Sequence, residues 1–283
     1  MPDENKQTGL VDNHQFAASV YTKYQEHFDH YYKLLKFAEA SLHKYRGLRK
    51  DSYHAVLQYI CPRAFKSFDA IRRLCEIAYC EDAAVILRCL LNLMAVTRWI
   101  SKDPEKRSKK YLGWYWIELQ ERAERQPDKF SAAATTEIQK HFDAEKSQFE
   151  YTNRKGKPDF AKQWYQPEVY LISDLFKEVG LEKHYQEAYK TLSGTEHSDV
   201  MAYYAMFATA EKKDGETKLE IQSDLFVRNY LRNGFQYFAD IFGMCNKTMA
   251  YADDRELREI VEAGMSFYKA DMKSESASTV KPR

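Results

Sequence analysis

The sequence predicts an all-α protein: a single bundle of roughly eight to ten helices around one buried central helix. Three observations carry that prediction. Glycine (10) and proline (7) are scarce over 283 residues, and turns and β-rich folds use both heavily. Hydrophobic residues make up 44% of the chain and aromatics 14%, enough for one large core or two closely packed halves. Apolar positions also recur at steps of three and four over long stretches, which places them on single helix faces.

The first such stripe is Phe16, Val20, Tyr24, Phe28, Tyr31, Leu35, Ala38, Leu42 and Tyr45, with Gly47 as the stop. Asp51 or Ser52 can cap a second helix reaching about Tyr79, bent at Pro62. Glu81 and Asp82 open a third, where their charge is favourable. This helix, AAVILRCLLNLMAVTRWI (83–100), is apolar nearly all round and belongs at the centre. A bilayer is the poorer home for it, since Arg88 near its middle would cost about 2.5–3.5 kcal/mol there. Pro104 starts a fourth helix, which carries Tyr111, Trp114, Tyr115 and Trp116. That aromatic cluster exceeds what one face needs, so part of it is available to a partner.

A more polar helix follows over about 131–150, then an irregular stretch at 151–168 that reads as a surface loop or flap. Short helices are expected over 169–179 and 181–192, and another up to about Lys212. A turn lies in KKDGETKLEIQ, with a short extended piece at Leu219 and Ile221. Long helices from about Asp224 to Tyr251 and from Asp254 complete the chain. Residues 1–12 read as a disordered N-terminus, 13–272 as one helical domain and 273–283 as a disordered tail.

Charge is balanced, 43 Lys+Arg against 42 Asp+Glu, so the basic excess of a dedicated DNA-binding domain is missing. An RNA-sized groove or a protein partner stays open, as does oligomerisation. The N-terminal residues MPDENKQTGLVDN lack an apolar signal core. Five cysteines without CxxC spacing fit reduced thiols in the cytoplasm better than a disulfide framework or a zinc site. His27 and His30 read as exposed histidines of a polar face, because no E-x-x-H pair accompanies them. No metal, cofactor or membrane is expected, and no phosphate loop, nucleophile elbow or Cys–His arrangement stands out.

Two places invite a chemical reading. Arg88 and Asn92 share one face of the central helix. Arg88 is either a buried register pin or the wall of a polar pocket for an anionic group such as phosphate. The turn LSGTEHSD (192–199) supplies helix caps in Ser193, Thr195 and Ser198, and places His197 at the start of a helix. His197 is either a structural hydrogen-bonding group or an acid, base or ligand. A shared site requires a largely buried Arg88 with His197 within reach of it. Arg88 and His197 are then the catalytic candidates, and Arg88, Asn92, Tyr189 and Ser193 the ligand-binding ones.

The run RAFKSFDAI (63–71), the central helix through Asn92, and Tyr189, Ser193 and His197 at their spacing resemble a bacterial all-helical family of unknown function. In that family the central helix reads L-R-x-x-x-E and a later segment Y-x-x-x-S-x-x-x-H. The resemblance covers about 53–204. It implies a helical fold in which Arg88, Tyr189, Ser193 and His197 converge, and it gives no reaction. The reading is a binding or regulatory module with a polar pocket, and a role in a defence or toxin-type system rests on the resemblance alone. Asn92 stands where the family has Glu, which counts against catalysis. The alternative is a metal-independent ribonuclease of the HEPN type, whose Arg-x(4–6)-His signature Arg49 and His54 match. About one such match is expected by chance, so the motif carries little.

Overall fold

The computed structural model describes residues 13–47, 50–153, 155–189, 192, 212–213, 216–217, 224 and 226–279. Among these the fold is all-α, as the periodicity predicts. The helices are α1 (Asn13–Lys23), α2 (Gln25–Lys44), α3 (Ser52–Glu76), α4 (Cys80–Ser101), α5 (Pro104–Arg125), α6 (Ala132–Glu145), α7 (Ile172–Glu178), α8 (Val227–Met249) and α9 (Asp254–Thr279). Two antiparallel pairs join β1 (Glu150–Thr152) to β2 (Pro158–Phe160) and β3 (Lys212–Lys213) to β4 (Glu216–Thr217). The stretch 1–12, expected to be disordered, lies outside the described residues. α9 runs to Thr279, past residue 272 where the helical domain was expected to end.

The chain divides into two compact units: Met1–Arg46, Cys61–Met94 and Gln186–Arg283 form one, and Gly47–Ile60 with Ala95–Tyr185 the other. In the first, the predicted stripe is the buried face of α1 and α2, with Val20, Tyr24, Phe28, Tyr31, Leu35 and Ala38 all in the core. Full burial of each large apolar side chain stabilises by about 1.5–3 kcal/mol. Tyr24 breaks the helical dihedrals (φ −115°, ψ 24°), yet the hydrogen bonds Tyr24 N–H to Val20 O and Phe28 N–H to Tyr24 O carry the helix across it. α2 stops at Lys44, three residues before Gly47, because Tyr45 swings to extended backbone (φ −63°, ψ 127°).

The core of this unit is a stack of rings. Tyr31 lies on Phe68 with centroids 3.8 Å apart, and Phe68 lies on Phe238 at 4.3 Å. The Tyr31 hydroxyl donates to Phe68 O at 2.8 Å, so its polar tip is satisfied although fully buried. Gly234 makes room for it: a Cβ there would fall 2.8 Å from Tyr31 Oη.

Arg72, 6% exposed, is held by Asp69, Glu76 and the Tyr32 hydroxyl at 2.6–2.7 Å. His27 corrects an expectation. It is buried at 6% exposure and hydrogen-bonds Asp271 Oδ2 at 3.0 Å, because Phe267 and Tyr268 of α9 cover the face that sequence left to solvent. The end of α8 is tied by Asn246, 2% exposed. Its Nδ2 donates to Ala252 O and Asp254 Oδ1 (3.1 and 2.6 Å), and its Oδ1 accepts from Ala252 N–H at 2.7 Å.

In the second unit, Ser131 caps α6 by accepting from Ala134 N–H. A small core of Ile117, Phe149 and Ala161 carries Trp114, Phe142 and Phe160 around it. The stretch 151–168 is not wholly irregular: β1 and β2 make a hairpin there. The turn is set by Asn153, whose Oδ1 accepts from Lys155 and Lys157 N–H, and by Gly156 at φ 72°. Asx-turns and positive-φ glycine are recognised turn chemistry, so that signal was present in TNRKGK.

Asn246→Ala should lower unfolding free energy by about 2 kcal/mol, since it strips a buried donor and acceptor at once; a urea melt with an unchanged midpoint would contradict it. Burial holds His27 below its usual 6.5 and outweighs the opposing Asp271 hydrogen bond; His30 shifts the same way, again through burial. The unfolded chain therefore takes up these protons first. The stability from neutral His27 is full above about pH 6.5 and is lost as pH falls through the lower folded-state value. Melting temperature should drop between pH 7 and pH 5, and His27→Gln should flatten the drop.

Candidate functional site

α4 is a buried helix, as its apolar sequence predicts. Its residues Ala83, Ala84, Leu87, Leu90, Leu91, Met94, Ala95, Trp99 and Ile100 are all buried. By length and composition it could cross a bilayer, but 61% of its apolar window is buried inside the protein. Glu81 and Asp82 lie in its first turn as expected.

Arg88 is half-buried rather than largely buried. Its guanidinium Nε is buried, and only the outer end of the group lies beyond it. That end meets Tyr189: guanidinium Nη2 donates to Tyr189 Oη at 3.1 Å, and the guanidinium carbon lies 4.7 Å from the ring centroid. The contact joins residues 101 apart in sequence. Tyr189 ends a π-helical turn, Tyr185–Tyr189, a widened turn that re-aims side chains and recurs at functional sites. The predicted helix over 181–192 is thus replaced, in its described part, by the single turn Glu182–His184 and this π turn.

Asn92 lies one turn beyond Arg88 on the same face. Its Oδ1 is buried and has no hydrogen-bond partner among the described residues. A buried acceptor left unsatisfied costs about 1–3 kcal/mol, so a donor arriving from a bound group would recover that energy. Arg88 and Tyr189 therefore offer donors and a cationic face, and Asn92, one helical turn away, a buried acceptor. That set suits an oxyanion that also carries a hydroxyl, such as hydrogen phosphate.

Of the residues expected to converge, Arg88 and Tyr189 are brought together. Ser193 and His197, with the rest of the turn 193–199, lie outside the described residues, as does Arg49. His54, the other half of that second motif, is engaged at the start of α3. Its backbone N–H and ring Nδ1 both meet Asp51 Oδ1 at 2.8 Å.

The other chemistry-bearing groups have structural surroundings. All five cysteines are thiols. The hydrogen bond with Cys245 and burial push the Cys61 thiol up, and burial pushes Cys80 up to about 12. Both resist becoming the thiolate that nucleophilic chemistry needs. Among the described residues no three His, Cys, Asp or Glu groups come together as metal ligands.

The aromatic cluster of α5 divides. Tyr111 packs on Trp164, Trp114 on Phe149, and Trp116 stacks on His141, while Tyr115 stays 57% exposed.

Sequence reasoning missed one ionic network. Glu168 meets Lys106, Arg107 and Lys110 at 3.1–3.5 Å. Burial disfavours its charge, but the Lys106 hydrogen bond and the charges of Lys110 and Arg107 keep it below the usual carboxylate range. The spacing Lys106, Arg107, Lys110 was visible; its carboxylate, far along the chain, was not.

No curated protein and no solved structure matches the chain. A profile described as a family of unknown function (DUF5677) matches residues 54–216. That span holds more than half of the chain, with Arg88, Asn92 and Tyr189 inside it, and so the chain belongs to this family.

Proposed function

We propose that this protein is a binding module whose site, centred on Arg88, Asn92 and Tyr189, takes a phosphate-like anion. The supporting observation is the pairing of a guanidinium held by a phenol with a buried Asn92 oxygen that lacks a donor. In this reading Arg88 supplies charge and paired N–H groups, Tyr189 orients the guanidinium, and Asn92 accepts from the ligand hydroxyl. Ser193 and His197, four and eight residues past Tyr189, are assigned to the same site as further ligand groups. The five thiols support a reducing compartment, and we place the protein in the bacterial cytosol. A role in defence or a toxin-type system rests on the family resemblance alone.

The guanidinium of Arg88 gives a site-specific readout. Titrating 15N-labelled protein with inorganic phosphate should move the Arg88 side-chain resonance saturably, and Tyr189→Phe should weaken the response several-fold. An Arg88 signal that ignores phosphate would sink the proposal. Arg88→Met, which replaces the charge by apolar packing, should fold with a melting temperature within a few degrees of wild type and lose the site.

Enzymatic use of the same groups, with His197 as acid–base and Arg88 holding a scissile phosphate, predicts something else. RNA incubated with the protein in a metal chelator would be cleaved, and His197→Gln would stop it. We expect the RNA to remain intact.

A further inference from the structure

A second site is built in the first unit, on the face of α2 that lies toward the α8–α9 turn. A cleft of about 550 Å³ opens there, within the range that small-molecule sites occupy. Lys33, Lys36 and Lys44 line one wall. Steps of three and then eight residues keep them on one helix face, spread over about 16 Å of axis. All three are exposed, and none makes an ion pair among the described residues, although lysines elsewhere in the chain, such as Lys23 and Lys110, do. Three ammonium groups that repel one another along a single wall are an arrangement that an anion relieves.

The floor supplies an independent observation. Tyr251 lines the cleft and is 7% exposed. Its ring packs on Tyr45 and Phe242, but its hydroxyl has no hydrogen-bond partner among the described residues. The hydroxyl is not among the buried polar atoms, so it is open to solvent and to a ligand in the cleft. Phe37 adds a half-buried ring to the lining, and Asp253 and Glu256, at the start of α9, bring two carboxylates that leave the three lysines in excess by one charge.

We propose that this cleft binds a phosphorylated small molecule of nucleotide size. Its phosphates lie along Lys33, Lys36 and Lys44, its ring or apolar part sits on Phe37 and Tyr251 with the Tyr251 hydroxyl bonded to it, and its hydroxyl or amino groups donate to Glu256. The site is separate in sequence and residues from the Arg88 group and does not depend on it.

The probe is ATP, titrated calorimetrically into the full chain at low salt, with tripolyphosphate as the comparison lacking the nucleoside. Wild type should bind ATP saturably and more tightly than tripolyphosphate. The triple variant Lys33→Gln, Lys36→Gln, Lys44→Gln should lose at least tenfold in ATP affinity. Tyr251→Phe keeps the ring and removes only an unbonded hydroxyl, so it should keep the wild-type melting temperature and lose affinity several-fold. Arg88→Met should bind ATP as wild type does. Absence of saturable ATP binding to wild type, equal affinity for tripolyphosphate, or undiminished binding by the triple variant would each overturn the proposal. ATP binding lost in Arg88→Met but kept in the triple variant would overturn it too, by moving the ligand to the other site.

Discussion

Three stacked rings fix the first unit. Tyr31 from α2, Phe68 from α3 and Phe238 from α8 lie one on another at 3.8 and 4.3 Å, and this stack sets how closely the three helices approach. Two local features permit it. Gly234 leaves the space that the Tyr31 hydroxyl occupies, and Phe68 O accepts that hydroxyl, so no polar group is stranded at the centre. The same economy recurs where Gly264 meets Phe235: a Cβ at 264 would come within 2.3 Å of the ring. Close packing of this kind tolerates little change in volume.

With the hydrophobic framework set by these contacts, polar groups on the buried helices must find partners, and the chain solves that problem in different ways. Arg72 is surrounded by two carboxylates and a phenol. Arg98 and Lys102 donate to the carbonyls of Val179 and Glu178 at the end of α7, where cations satisfy orphan acceptors and suit the helix dipole. Arg107 spans Trp99 O, the Trp99 ring, Glu168 and Glu178. These are structural uses of charge, closed on the protein itself. The group at Arg88 differs because Tyr189 holds the guanidinium while Asn92 Oδ1, one turn away, is left buried without a donor. That unsatisfied acceptor is the ground on which a ligand site is proposed there.

The candidate site was legible only in part. Arg88 and Asn92 stood out because a guanidinium and an amide interrupt an otherwise apolar helix, and polar groups in such a place need an explanation. Tyr189 came from family resemblance; no local pattern marks one tyrosine among 21. The degree of burial of Arg88 was misjudged, since the sequence shows the apolar neighbours of its stem but not where its tip ends. The lysines of α2 stand in the sequence at positions 33, 36 and 44, but no local pattern shows that the α8–α9 turn comes across from them.

The sequence by itself determined the long helices, the order in which they follow and the main apolar stripe of α1 and α2, because those depend on interactions between residues three and four apart. It determined α4 as the buried helix for the same reason: no polar face was left for it to show to water. Tertiary structure alone decided what covers each face and therefore the chemistry of every residue there. His27 belonged to a polar face until Phe267 and Tyr268 closed over it. Glu168 became the centre of three cations, and Tyr251 became the floor of a cleft. Local periodicity fixes direction, whereas burial and electrostatic environment are set by residues that the chain brings in from far away.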